Sequence, residues 1–281
     1  MNLENILNHI ETVDPEIHER LDTRRKLFKN FAGFGTKLAA AAVPIAFGSL
    51  LNKSYGQAPP AGVLDVLNFA LLLEYLEAGF YEAALKNPGM FPSAASRNAI
   101  TTIGLHEKQH VDFLKAAISG AGGTPIAKPN FDLSGGGGSG NGPFKDATWN
   151  YRLFLSVAQT LEDTGVRAYK GQAGNLKGTG AVLTAALNIH SVEARHASHI
   201  RQMRQNANFA AIKPWITGKN PVGLESLVQA NYNGEELTMQ AGIEIINING
   251  KKISFENATE SFDEPLTKEQ VTNLVKGFIA A

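Results

Sequence analysis

Leu73-Glu74-Tyr75-Leu76-Glu77-Ala78, followed by Tyr81 and then by Glu107-Lys108-Gln109-His110, decides the fold, because the chain carries the pattern twice. The second copy runs Leu161-Glu162, Tyr169 and Glu193-Ala194-Arg195-His196. In each copy a Tyr stands seven residues after the Glu, and a Glu-x-x-His comes later. Glu74 and Glu162 are 88 residues apart, and Glu107 and Glu193 are 86 apart. The halves therefore run almost in register, as an internal repeat of two helices each. Residues three apart on a helix share a face. Each Glu-x-x-His can thus present a carboxylate and an imidazole to one point. One such pair is a weak signal, since both residues are common on solvated helices. Two pairs, each preceded by a repeat-matched Glu on another long helix, are a strong one. Four carboxylates and two histidines in this order are the ligand set of a dimetal site inside a four-helix bundle. Mixed oxygen and nitrogen donors favour iron or manganese over metals that prefer softer ligands.

The helices follow from periodicity and punctuation. Apolar residues at helical spacing predict a first helix from about Val63 to Lys86, ended by Asn87-Pro88-Gly89. Ser93 or Ser96 caps a second, running to about Ser119. A long Gly-rich connection then spans about Gly120 to Asp146. It lacks the flanking strand and the Lys-Ser/Thr of a phosphate cradle. Its length suits a flexible crossover that travels the whole bundle to reach a third helix parallel to the second. Asp146 is the expected N-cap of that third helix, which ends near Gly171, and the fourth runs from about Ala181 to Asn206. Beyond it, Gly242 to Ile248 reads as a strand, Asn249-Gly250 as a hairpin turn and Lys251 to Glu256 as the return strand. Thr267-x-x-Gln270 is a capping box for a last short helix. The fold expected is mainly α: a four-helix bundle over 59–206 with a crossover between helices two and three. A small appendage of hairpin and helix completes it over 207–281.

Residues 1–58 read as an export signal. Arg24-Arg25 precedes Leu38 to Leu51, fourteen residues without a charge. A membrane span needs about 20 apolar residues, so this run suits a signal peptide and leaves no stable span in the mature chain. The pattern resembles a twin-arginine signal, which implies the twin-arginine machinery as a partner and a periplasmic destination. The stretch ahead of Arg24 is long and acidic, which departs from the usual positive leader. The chain as a whole has 26 basic and 26 acidic residues and no basic stripe, so nucleic acid is not an expected partner. Cysteine is absent, which excludes disulfides, thiol catalysis and Cys-ligated iron centres from this chain.

The repeated motifs resemble the ferritin-like superfamily over about residues 60–206. With the leader, the Gly-rich crossover and the extra C-terminal region, the chain is similar to bacterial ferritin-like proteins related to desiccation-associated proteins. The resemblance implies Glu74, Glu107, His110, Glu162, Glu193 and His196 as ligands of two iron or manganese ions. It implies a reaction with oxygen or peroxide in stress protection, catalase-like or peroxidase-like if the protein is an enzyme. No electron donor is visible in the chain, so a peroxidase would need an external one. Iron storage and a structural bundle held together by its metals are the alternatives, and a homo-oligomer is compatible with either.

Other residues compete for roles. Glu77 rivals Glu74 as a ligand, but its repeat counterpart is Gly165, which favours Glu74. Glu82, whose counterpart is Lys170, reads as surface charge. Tyr81 and Tyr169 lie two turns beyond the ligand glutamates, either as hydrogen-bonding or electron-donating groups near the metals or as core aromatics. His106, His190 and His199 flank the ligand histidines. Asp112 and Asp163 are candidate acceptors for the ligand imidazoles.

Overall fold

The computed structural model describes residues 62–280. The export signal expected over 1–58, with Arg24 and Arg25, lies outside the described residues. Four long helices carry the fold: α1 (Val63–Leu85), α2 (Ala94–Gly120), α3 (Tyr151–Ala173) and α4 (Ala181–Asn206). α1 stops where Pro88 opens a short 3₁₀ turn. α2 begins with a reciprocal box. The Ser93 hydroxyl accepts from the Ser96 N–H at 3.1 Å, and the Ser96 hydroxyl from the Ser93 N–H at 3.2 Å. The expected cap of α3 needs correction. Asn150 caps it, its side-chain oxygen accepting from the Leu153 N–H at 3.0 Å. Asp146 lies a turn earlier, where its carbonyl accepts from the Asn150 N–H at 2.9 Å.

α1 packs along α2, α3 along α4, and α1 against α3. Contacts fix the directions. Glu74 meets His110 while Tyr81 lies over Gly104, so α1 and α2 are antiparallel. Tyr81 reaches Glu162 while Tyr169 reaches Glu74, so α1 and α3 are antiparallel too. α2 and α3 therefore run parallel, and the chain must cross the length of the bundle between them. Phe80 stacks on Phe154 at 5.2 Å, with Tyr81 edge-on to the same ring at 5.9 Å. This aromatic cluster fills the bundle core beside the polar centre.

The crossover is built rather than flexible, which corrects the expectation. It folds around the carboxylate of Asp132. One oxygen accepts from the Ser134 N–H at 3.0 Å and from the Ser134 hydroxyl. The other accepts from the N–H groups of Gly138 and Gly140, both at 2.9 Å. Gly135, Gly137, Gly138 and Gly140 all have positive φ, which curls successive amides inward onto that charge. The Ser134 hydroxyl, then the Gly140 N–H, hold the Asp132 carboxyl down at about 2. The loop is also stitched to the chain's last residues. The Asp132 N–H donates to the Phe278 carbonyl at 2.8 Å, and the Ala280 N–H to the Asn130 carbonyl at 2.9 Å.

The C-terminal region is irregular, with α5 (Gln229–Tyr232), α6 (Phe255–Thr259) and α7 (Lys268–Val275), the last opened by the expected Thr267/Gln270 box. Its one antiparallel pair is β1 (Met239–Gln240) with β2 (Ile243–Glu244), turning at Ala241-Gly242. This lies ahead of the hairpin expected at 242–256. The Asn249-Gly250 turn does form, with positive φ at both residues and the Lys251 N–H donating to Ile248 at 3.0 Å. One further bond, from the Ile253 N–H to the Ile246 carbonyl at 2.7 Å, keeps hairpin register, and no strand follows.

This region seals α3, which is buried at every residue from Phe154 to Tyr169. Gln159, Asp163 and Arg167 recur every four residues along its outer face. Asp163 pairs with Arg201 of α4 and accepts from the Tyr232 hydroxyl at 2.7 Å. Arg204 donates to Gln159 and to the Val222 carbonyl. Arg167 pairs with Glu235 at 2.7 Å and donates to the carbonyls of Glu264, Asn231 and Asn233. Gly171 lets the backbone at Leu266 lie directly on α3, where any Cβ would collide with the Leu266 carbonyl. No helix among the described residues is long and apolar enough to cross a membrane.

Candidate metal centre

Each of the four helices delivers a glutamate to one buried point. Glu74 comes from α1, Glu107 from α2, Glu162 from α3 and Glu193 from α4, all with no exposed surface. His110 and His196, one turn beyond Glu107 and Glu193, close the ring and are also buried. The donor atoms form two groups, within each of which one ligand atom per residue lies within 4.8 Å of the rest. The first holds Glu74, Glu107, His110 and Glu193, and the second Glu107, Glu162, Glu193 and His196. Glu107 and Glu193 belong to both, while Glu74 and Glu162 each belong to one. All six residues singled out in the sequence are brought together.

The atoms converge in a way hydrogen bonding does not satisfy. His110 Nδ1 stands 3.1 Å from Glu74, 3.2 Å from Glu107 and 3.1 Å from Glu193. One N–H cannot serve three carboxylates well. His196 Nδ1 is 2.7 Å from Glu107 Oε1 and 3.3 Å from Glu162 Oε2, yet none of these three atoms has a partner in hydrogen-bond geometry. Both oxygens of Glu193 are buried without a partner as well. Buried, unpaired donors that all point at one space are costly alone and fit cations between them. Glu and His donors of this kind are the hard-to-intermediate set suited to iron or manganese.

Two tyrosines brace the ring across the repeat. The Tyr81 hydroxyl donates to Glu162, and the Tyr169 hydroxyl to Glu74. Each tyrosine therefore holds the glutamate of the other half, and both are buried. Burial, then the charge of Glu162 for Tyr81 and of Glu74 for Tyr169, pushes both phenols well above their usual range, so they stay donors.

Without cations the cluster is held by protons. Burial, then Glu162, raises Glu107 to about 7, against the pull of the neighbouring His110 and His196 imidazoles. Burial and the charges of Glu107 and Glu74 raise Glu193 further. Burial alone would raise Glu74, but the charge and bond of His110 outweigh it and hold it low. Burial would likewise lower both imidazoles. Glu74 first, then Glu107 and Glu193, instead drives His110 strongly upward. The charge of Glu162, then the nearby Glu107 carboxylate, brings His196 up to about 11.

The remaining sequence candidates divide. His106 Nδ1 faces His196 Nε2 at 3.0 Å, and the rings stack with centroids 5.3 Å apart. It takes the role expected of an aspartate. Asp163 is spent on Arg201 and Tyr232, and Asp112 pairs with Lys108 on the surface at 2.6 Å, so neither touches an imidazole of the site. His199 is exposed, and His190 is half-buried against the Val166 carbonyl. Glu82 is a surface charge paired with Lys86 at 2.9 Å. The repeat favours Glu74 over Glu77, and Glu74 does sit in the ring. Yet Glu77 is only 3% exposed and lies beside the same cluster. Burial, then Glu193 and Glu162, pushes its carboxyl well up. The signal for it is in the sequence: a Glu one turn after Glu74, matched in the repeat by a residue without a side chain.

A search of curated proteins finds no match. The family model of the ferritin-like domain matches residues 62–206, from the start of α1 to the end of α4. The match takes in every residue of the ring and more than half of the chain, which therefore belongs to the ferritin-like domain family.

Proposed function

We propose that this chain is a dinuclear carboxylate protein in which Glu74, Glu107, His110, Glu162, Glu193 and His196 hold two iron or manganese ions that react with oxygen or peroxide. The observation that carries this reading is the convergence of buried, unpartnered oxygens of Glu107, Glu162 and Glu193 with the unpartnered His196 Nδ1 on one space inside the bundle. Bound ions would supply redox cycling and sites for an oxygen ligand. The chain's own residues do the rest. Glu107 and Glu193, common to both groups, would serve both ions, and Glu74 and Glu162 would each hold one. Tyr81 and Tyr169 fix the outer two glutamates in orientation. The buried ring, with all four glutamates at no exposed surface, limits the access of bulk water to the reacting oxidant. The role proposed is stress protection, on the sequence resemblance to desiccation-associated proteins alone. The twin-arginine-like leader of 1–58 takes the chain to the periplasm, by a route that carries folded, metal-loaded proteins.

The test is peroxide consumption by the metal-loaded full chain beside a Glu107→Ala/His110→Ala variant. Turnover by the former and its loss in the latter are expected. A chain that holds both ions and consumes no peroxide would leave the metals a structural role.

A further inference from the structure

The ring has an unused fifth carboxylate. Glu77 stands on α1 one turn beyond Glu74, and its repeat counterpart on α3 is Gly165, one turn beyond Glu162. The two positions face each other across the bundle. A Cβ built on Gly165 would stand 3.1 Å from Glu77 Oε1 and 3.4 Å from Glu193 Oε2, tight against both. The space between α1 and α3 therefore holds one side chain, and Glu77 fills it. The charges that act on Glu77 most are those of Glu193 and Glu162, ahead of Glu74 and Glu107, and all four are negative. A carboxylate placed among carboxylates in a buried site has no stabilising partner of its own. It stands beside the two four-residue groups rather than in either.

We propose that Glu77 is a further metal ligand, a fifth carboxylate reaching the centre from α1 through the room that Gly165 leaves on α3. The inference rests on the dimetal reading above. The two halves of the site are then unequal, although the repeat that builds them is nearly symmetric. Charge supports the assignment. Four glutamates balance two divalent ions, so a fifth suits a pair with more positive charge than that.

Equilibrium dialysis of the full chain against manganese(II), with bound metal counted by elemental analysis, tests this. The wild-type chain is expected to bind two ions. Glu77→Gln is expected to bind two with one of them weakened by about 10-fold or more, the other unchanged. Glu77→Asp keeps the charge but withdraws it by one carbon, and is expected to show the same single-site loss. Gly165→Ala leaves every carboxylate present and crowds Glu77 out. It is expected to match Glu77→Gln, and the double variant to be no weaker than either, because both act on one contact. Gly165→Ala also carries the test if Glu77→Gln fails to fold. Wild-type affinities at both sites in Glu77→Gln and Gly165→Ala would overturn the proposal. So would an Asp variant that binds like wild type while Gln weakens both ions equally, since that is a field effect and not ligation. A wild-type chain that binds no ion overturns the dimetal reading itself, an outcome distinct from these.

Discussion

Tyr81 and Tyr169 show how much of the site depends on single atoms. Each phenol donates to the glutamate of the opposite repeat, and nothing else among the described residues bonds those two oxygens. Tyr81→Phe and Tyr169→Phe keep the ring and remove only that donor. Each is expected to weaken metal binding by about 10-fold, with little change in helical content, as read by titration calorimetry and circular dichroism. Wild-type affinity in both would reduce the tyrosines to core aromatics. The protonation of the ring gives a second expectation. Glu107 rises from 4.5 to about 7 and His196 from 6.5 to about 11 in the folded, metal-free chain. A group raised in the folded state contributes stability that is full below its unfolded value and is lost as pH climbs through its folded one. The metal-free chain should therefore lose stability steadily above about pH 5. Its Tm should fall by roughly 5–10 °C between about pH 6 and about pH 9, while the metal-loaded chain stays nearly level. Scanning calorimetry with and without chelator decides this, and a Tm of the chelated chain that climbs with pH would be incompatible with the shifts. The six ring residues were legible because Glu-x-x-His spacing fixes a helix face and the repeat fixes which faces meet. His106 and Glu77 were harder to read. Their importance depends on the residue opposite, His196 for one and the bare Gly165 for the other.

At the scale of elements, α3 is the helix most altered by its surroundings. The sequence offers Asp163 as a candidate acceptor for a ligand imidazole, and nothing in it singles out Gln159 and Arg167 on the same face. The C-terminal region covers that face and supplies its partners, Tyr232, Glu235 and the carbonyls of Asn231, Asn233 and Glu264. No period in the sequence marks such a cover, because its backbone carbonyls belong to irregular chain. Asp163→Ala leaves the Arg201 guanidinium buried without its carboxylate. The expected cost is about 3–5 kcal/mol in chemical denaturation, with metal stoichiometry unchanged. A loss of metal at intact stability would return Asp163 to the site. The crossover repeats the lesson on a smaller scale. Its glycines read as flexibility, yet four of them use positive φ to wrap the Asp132 carboxylate. Asp132→Ala is expected to expose 130–142 to limited proteolysis while the four helices stay protected. Equal resistance in the variant would mean that the contacts with the chain's last residues hold the loop by themselves.

At the scale of the whole molecule, bundle and C-terminal region share one set of buried groups. α3 is enclosed by α1 and α4 on one side and by 222–266 on the other, and the crossover is tied to Phe278 and Ala280. The bundle was legible from the repeat, the caps and the breakers, with most helix ends placed within two residues. The C-terminal region was legible only as an appendage, since its short strands and turns are set by what they cover. Everything in the functional account depends on the ring holding metal. The most direct test is elemental analysis of the full chain beside Glu107→Ala/His110→Ala, purified without chelator and again after reconstitution with each ion. Two iron or manganese ions per chain, and far less in the variant, are the expected result. Uptake far above two would point to storage. A wild-type chain that binds no transition metal under any of these conditions would contradict the account.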